Sequence, residues 1–275
     1  MVSSTEDLNP FSTEIGQWDI DAISAFIHMS DIAAYEAVSG AIDKISKASS
    51  IMLESIKNEG KIIYLGAGTS GRIAAQDVVE LLPTYGLGPD FFDFILAGGI
   101  GSLVKSVEGA EDDKNGSIKE LQEKNLSPRD VVVGITASGS TPFVLGGMGY
   151  ARQKGCATIG MTNNFNKKIQ QFSDLLIVLP TGPEVIQGST RMKAGTAQKM
   201  ALNIISTTVA IKLGRTYKNT MSHMGSWYNE KLKNRSVNIL VTQFAISEGE
   251  AAKLLSENDY DIRKCIEHLS KRKPK

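Results

Sequence analysis

Between Asp31 and Asn58 the apolar positions Ile32, Tyr35, Val38, Ile42, Ile45, Met52 and Ile56 fall mostly three and four residues apart. That spacing puts them on one helical face, so the segment reads as a single long amphipathic helix, closed by Gly60. The period then changes. Lys61–Leu65 (KIIYL) is a short β-branched and aromatic run, and similar apolar runs recur at Phe91–Ala97, Asp130–Ile135, Cys156–Met161 and Leu175–Leu179. Runs that are apolar at nearly every position suit strands buried on both faces. Helix-like stretches separate most of them, which predicts an α/β fold: a three-layer, doubly wound parallel sheet with right-handed crossovers. After Thr190 the chain reads as helical to its end, broken at Gly214 and Gly225, with a short final pair around Asn258-Asp259. The division implied is an N-terminal helical segment over 1–58, an α/β domain over 59–222 and a small helical C-terminal region over 223–275.

A chain of 275 residues can bury a sizeable core. Thirty Lys and Arg balance thirty Asp and Glu, and the one basic run is the tail Lys271-Arg272-Lys273-Pro274-Lys275. That balance argues against nucleic acid as a partner. Cys156 and Cys265 are far apart and lack metal-ligand spacing, so neither a disulfide framework nor a metal site is expected, and a reducing cytosol fits. Met1–Pro10 is polar and partly acidic where a signal peptide needs a basic start and an apolar core. No apolar run approaches the ~20 residues of a membrane span. A soluble, cytoplasmic protein without a membrane partner is the expectation. His28 and His223 have no triad or metal context and read as structural or exposed.

The chemistry concentrates in two loops. Gly66-Ala67-Gly68-Thr69-Ser70-Gly71 follows a strand and opens a helix, so backbone N–H groups and two hydroxyls gather at a positive helix end that attracts phosphate. The same letters fit a dinucleotide fingerprint, but that reading wants a carboxylate near the end of the second strand, where Leu96-Ala97-Gly98-Gly99 stands. Thr136-Ala137-Ser138-Gly139-Ser140-Thr141 again follows an apolar strand, with Pro142 at the next helix start. In either loop alone, Ser and Thr are equally explained as helix caps. Two such loops on one sheet favour a phosphomonoester, and the absence of a Walker lysine favours a sugar phosphate over a nucleoside triphosphate.

GAGTSGR at Gly66–Arg72 and TASGST at Thr136–Thr141 resemble the paired phosphate loops of the sugar isomerase (SIS) domain. VEGAED at Val107–Asp112 and GPEVIQGSTRMKAGTAQKMALN at Gly182–Asn203 are similar to signatures of the N-acetylmuramic acid 6-phosphate etherases, and the likeness runs from about Thr13 through the final helices. Glucokinase regulatory proteins share this text but resemble two such domains in tandem. The resemblance implies removal of the lactyl ether from a phosphorylated amino sugar, without metal or nucleotide cofactor, in a homodimer whose partner helps enclose the site. It implies that Gly68, Thr69, Ser70, Ser138, Gly139, Ser140 and Thr141 bind substrate. Two glutamates then divide the acid–base work: Glu80, in DVVELLPTYG at 77–86, and Glu111, in VEGAED.

Ether elimination beside a carbonyl needs a base for the carbon acid and an acid for a poor leaving group, which two carboxyl groups can supply. Read without the family, Glu80 is better explained as a solvated helix residue, and Glu108, Glu111, Asp112 and Asp113 as an ordinary acidic face. Arg191 and Lys193, at a helix start that cations disfavour, read either as anion contacts or as solvated residues. The sequence departs from the family at Leu82, where a second proline is usual before Pro83, and at Ser140, where arginine is common. Substrate preference is what those departures touch. An aldose–ketose phosphosugar isomerase and a non-catalytic sugar-phosphate sensor are the alternatives.

Overall fold

The computed structural model describes residues 4–223 and 230–271, and of Lys167 only the backbone. Gly225 and the tail residues 272–275 lie outside them. The elements in order are α1 (Ile20–Ser30), α2 (Ile32–Gly40), α3 (Ile42–Lys57), β1 (Ile62–Gly66), α4 (Gly68–Tyr85), β2 (Phe92–Leu96), α5 (Gly116–Glu123), β3 (Val131–Ile135) and α6 (Pro142–Gln153). There follow β4 (Ala157–Thr162), α7 (Lys167–Gln170), β5 (Leu175–Val178), α8 (Lys193–Lys212), β6 (Thr216–Tyr217), β7 (Thr220–Met221), α9 (Glu230–Phe244), α10 (Glu248–Glu257) and α11 (Ile262–Ser270). The described residues divide into two compact units, 4–78 with 89–209, and 79–88 with 210–223 and 230–271.

All five apolar runs are strands of one parallel sheet, in the order β2-β1-β3-β4-β5. Every residue of β1 and β3 is buried, so both faces of the sheet are covered. Alternation along the strands divides the core. Ile63, Leu65, Ile95 and Val132 pack with Leu121 of α5 and with Phe143, Val144 and Met148 of α6. Their neighbours Ile62, Tyr64, Val131 and Val133, equally buried, point the other way, and α3 packs against β1, β3 and β5.

Two local expectations are corrected. The segment 31–58 is two helices, because Ala41 leaves the helical region (φ −102°, ψ 3°) directly after Gly40, a residue that costs about 1 kcal/mol in a helix interior. The predicted stripe divides accordingly: Val38, Ile45, Met52 and Ile56 are buried, whereas Ile32, Tyr35 and Ile42 stay exposed and Ala34, Ala37, Ala41 and Ala48 take the close contacts. The stretch after Thr190 is not helical throughout either. β6 and β7 pair as a short antiparallel hairpin whose turn holds Lys218 at φ 52°. Strands of two residues are too brief to show a period. In the second unit Tyr217 stacks on Phe244, and Leu240, Leu255, Ile262 and Cys265 form a separate core among α9, α10 and α11.

A buried carboxylate joins α4 to α8. Asp77 Oδ1 accepts hydrogen bonds from Asn203 Nδ2 and from Ser206 Oγ, the latter at 3.0 Å, while Oδ2 has no partner among the described residues. Burial raises the Asp77 pKa above its ordinary 3.8, against the pull of those two hydrogen bonds. The folded state therefore holds the Asp77 proton more tightly than the unfolded chain. That contribution to stability is complete below about pH 4 and is lost as pH rises through the raised value. Asp77→Asn keeps the acceptor oxygen and removes the ionisation. Urea unfolding from about pH 4 to pH 8 should show the variant gaining stability relative to the parent protein as pH rises.

Candidate functional site

In a sheet of this order the crossovers leave β1 and β3 toward opposite sides, and the crevice beyond their carboxyl ends is where doubly wound folds take ligands. Gly66 pairs in register with Ile135, so the two glycine- and hydroxyl-rich loops leave the sheet level with each other. The first is kept tight by a close approach. A Cβ on Gly66 would come within 2.6 Å of the Gly71 backbone, so any side chain there would push the start of α4 off the strand. Ser70 sits buried in the first turn of α4, where backbone N–H groups lack helical acceptors.

The second loop turns at Gly139, with φ 72° and Asn166 packed where a Cβ would stand. Its carbonyls are braced from behind: Asn166 Nδ2 donates to Ser138 O at 2.9 Å, and Thr162 Oγ1 and Asn164 Nδ2 donate to Ala137 O at 3.0 and 3.1 Å. The hydroxyls face one another. Thr136 Oγ1 lies 2.7 Å from Thr141 Oγ1, and Ser140 Oγ donates to Ser138 Oγ at 3.0 Å. Thr141 precedes α6 without capping it through its side chain. The cap explanation therefore does not account for that hydroxyl.

Both loops open into a cavity of about 430 Å³. Ala67, Gly68, Thr69 and Ser70 line it from the first loop and Thr136, Ala137, Ser138, Ser140 and Thr141 from the second, with Glu111, Asp112, Glu6 and Thr190 on the remaining walls. Glu111 arrives on a single 3-10 turn, Ala110–Asp112, that follows Gly109 in the left-handed region. Gly139 shapes its loop without lining the cavity. Glu80 is exposed on α4, nearly three turns beyond Ser70, and is also not in the lining. The end of β2 carries Ala97, buried, where a dinucleotide fold needs its ribose carboxylate. Among the described residues no three His, Cys, Asp or Glu are grouped to hold a metal ion.

The 41% identity that this chain shares with the N-acetylmuramic acid 6-phosphate etherase of Pseudothermotoga lettingae, over 95% of this chain and 87% of that one, decides its kinship. The chain belongs to the N-acetylmuramic acid 6-phosphate etherase family. The etherase of Clostridium acetobutylicum is 44% identical over 92% of this chain and 83% of its own. Two family models also match: the glucokinase regulatory protein N-terminal SIS domain over residues 44–152 and the SIS domain over 100–207. Among solved structures the phosphoheptose isomerases of Francisella tularensis and Neisseria gonorrhoeae share the fold, with TM-scores of 0.55 and 0.52 at 18% and 19% identity. Each covers 70% of this chain and 98% of its own.

In this etherase-family chain, Glu6 and Thr190 escaped the sequence reading because each is delivered by a distant segment. Thr5, fully buried, exchanges hydrogen bonds with Asn164: its N–H donates to Oδ1 at 3.0 Å and its Oγ1 accepts from Nδ2 at 2.8 Å. Gln187 Nε2 holds the Glu6 carbonyl at 2.9 Å. Nothing in the polar letters before Pro10 marks a contact with a loop more than 150 residues away. Lys193 is resolved as structural: it is buried and its Nζ donates to Pro183 O at 2.7 Å. Arg191 is exposed. His28 is exposed, and His223 is half-buried with Nδ1 2.9 Å from Ser222 Oγ.

Glu184 was also missed. Its side chain is fully buried and accepts from the backbone N–H groups of Lys193 at 3.2 Å and Ala194 at 2.9 Å, so it caps α8 from nine residues upstream. Burial pushes its pKa up, opposed by those two hydrogen bonds and by the Lys193 cation. The loop between Glu184 and α8 carries Thr190 to the cavity wall. Glu184→Ala leaves two buried helix-start donors unpaired and should cost about 2–3 kcal/mol by chemical denaturation.

Proposed function

We propose that this chain cleaves the lactyl ether of N-acetylmuramic acid 6-phosphate by elimination and hydration, giving N-acetylglucosamine 6-phosphate and D-lactate, in amino sugar recycling in the cytoplasm. The observation that carries the reading is the convergence of two hydroxyl-lined helix starts and the Glu111 carboxylate on one cavity, in a chain about 40% identical to etherases along most of its length. The loop N–H groups and the hydroxyls of Ser70, Ser138 and Thr141 hold the 6-phosphate, since such groups attract an anion without a counter-cation. With the ring opened to its aldehyde, a base takes the C2 proton. The C3–O bond then breaks and the departing oxygen receives a proton from an acid, leaving a C2=C3 alkene. Water adds at C3 and a proton returns to C2.

Glu111, on the cavity wall, is assigned to the C2 proton, and Glu80 to the departing oxygen. A homodimer belongs to this reading. Ile20, Met29, Ile32 and Tyr35 on α1 and α2, and Val79 and Leu82 beside Glu80 on α4, are exposed apolar side chains of the kind a second copy covers. The same packing supplies a route by which Glu80 serves the partner's cavity.

An assay for D-lactate on N-acetylmuramic acid 6-phosphate should be positive, whereas an isomerase or a sensor would release none. Ser138→Ala should weaken phosphorylated ligands by about 1.5–3 kcal/mol and leave unphosphorylated analogues unchanged. Glu111→Gln should abolish exchange of the C2 hydrogen with solvent deuterium. Glu80→Gln should retain some exchange while lactate release falls by about 100- to 10,000-fold. Mixing the two inactive variants should restore lactate release, because one site of a mixed dimer then holds both carboxylates.

A further inference from the structure

Beside the main cavity lies a second recess of about 160 Å³, which shares Ala67, Gly68 and Glu111 with it and is otherwise walled by residues including Arg72, Ser106 and Val107. It is smaller than the ~300 Å³ at which whole-ligand pockets begin, so it suits a fragment of a substrate whose body lies next door. Its cation is fixed in place. Arg72 Nε donates to Ser102 O at 2.9 Å, and Ser102 is itself buried and held through its hydroxyl to the carbonyls of Ala97 and Gly99, both at 2.8 Å. One edge of the guanidinium is thereby spent. The group has no ion-pair partner among the described residues, although half-buried cations ordinarily find one. Glu108, the other charge on this wall besides Glu111, is exposed, so water screens it.

We infer that this recess receives the three-carbon hydroxy-acid arm of the substrate and that Arg72 binds its carboxylate. The inference rests on the etherase reading and extends it. The substrate is anionic at two ends, and the structure offers two unlike anion sites: hydroxyls and helix starts in the main cavity, a guanidinium in the recess. Glu111 lies on the wall common to both, which is where the bonds that change would fall. A planar guanidinium also matches a carboxylate geometrically, and an ammonium reproduces that fit only in part.

The test compares two ligands that differ by the arm. In Arg72→Gln the KM for N-acetylmuramic acid 6-phosphate, followed by D-lactate release, should rise about ten- to hundredfold, and Arg72→Lys should recover part of the loss. The calorimetric Kd for N-acetylglucosamine 6-phosphate, which lacks the arm, should stay within about twofold of the parent value. Val107→Phe, which fills the recess from an exposed position, should reproduce the split. Equal weakening of both ligands, or of neither, overturns the assignment. If the parent protein releases no lactate the etherase reading fails, and calorimetry of both sugar phosphates on parent and Arg72→Gln protein still decides whether Arg72 reads the arm.

Discussion

The first backbone N–H groups of a helix have no acceptor within it, and in this chain two helix starts with such groups are brought side by side. β1 and β3 are neighbours only because the chain adds β2 on one side of β1 and everything later on the other, and their pairing brings Gly66 and Ile135 level. α4 and α6 therefore begin at one height over the same crevice. An anion placed there satisfies donors that would otherwise be left to water, and the helix dipoles add to the attraction. The glycine at each turn, the Asn166 and Asn164 braces behind the second loop and the Glu184 cap at α8 all serve to keep that rim in shape.

Charge on the remaining walls has the opposite sign. Glu6, Glu111 and Asp112 also line the cavity, and Arg72 stands in the adjoining recess. Of the three cations in the long signature 182–203, Lys193 is committed to Pro183 O, and neither it nor Arg191 nor Lys199 lines the cavity. The two buried carboxyls, Asp77 and Glu184, bind α8 to α4 and to its own entry loop, so the element that closes the core also supports Thr190 on the wall.

The five strands, the two loops and the kinship were legible along the chain because each is local. A strand buried on both faces needs a short, mostly apolar run, a loop of this kind needs glycine where the backbone turns or touches, and the long signature is continuous text. The division of 31–58 into two helices was less legible, since the three- and four-residue spacing continues through Gly40 and Ala41 while the backbone does not. The β6–β7 hairpin was hidden by its length.

Sequence alone determined the fold class and the family, and it singled out Ser70, Ser138 and Thr141 as candidates for anion binding. The tertiary structure decided which groups share a wall. Thr5 and Asn164 are 159 residues apart in sequence, yet their paired hydrogen bonds put Glu6 at the cavity. Lys193 read either as an anion contact or as a solvated residue, and Glu184 as one letter of the signature, until burial made one a clamp on a carbonyl and the other a helix cap. Periodicity and spacing report on neighbours within a few residues. Burial, pairing and the assignment of a charge to one cavity or its neighbour depend on chain crossings that no local window contains.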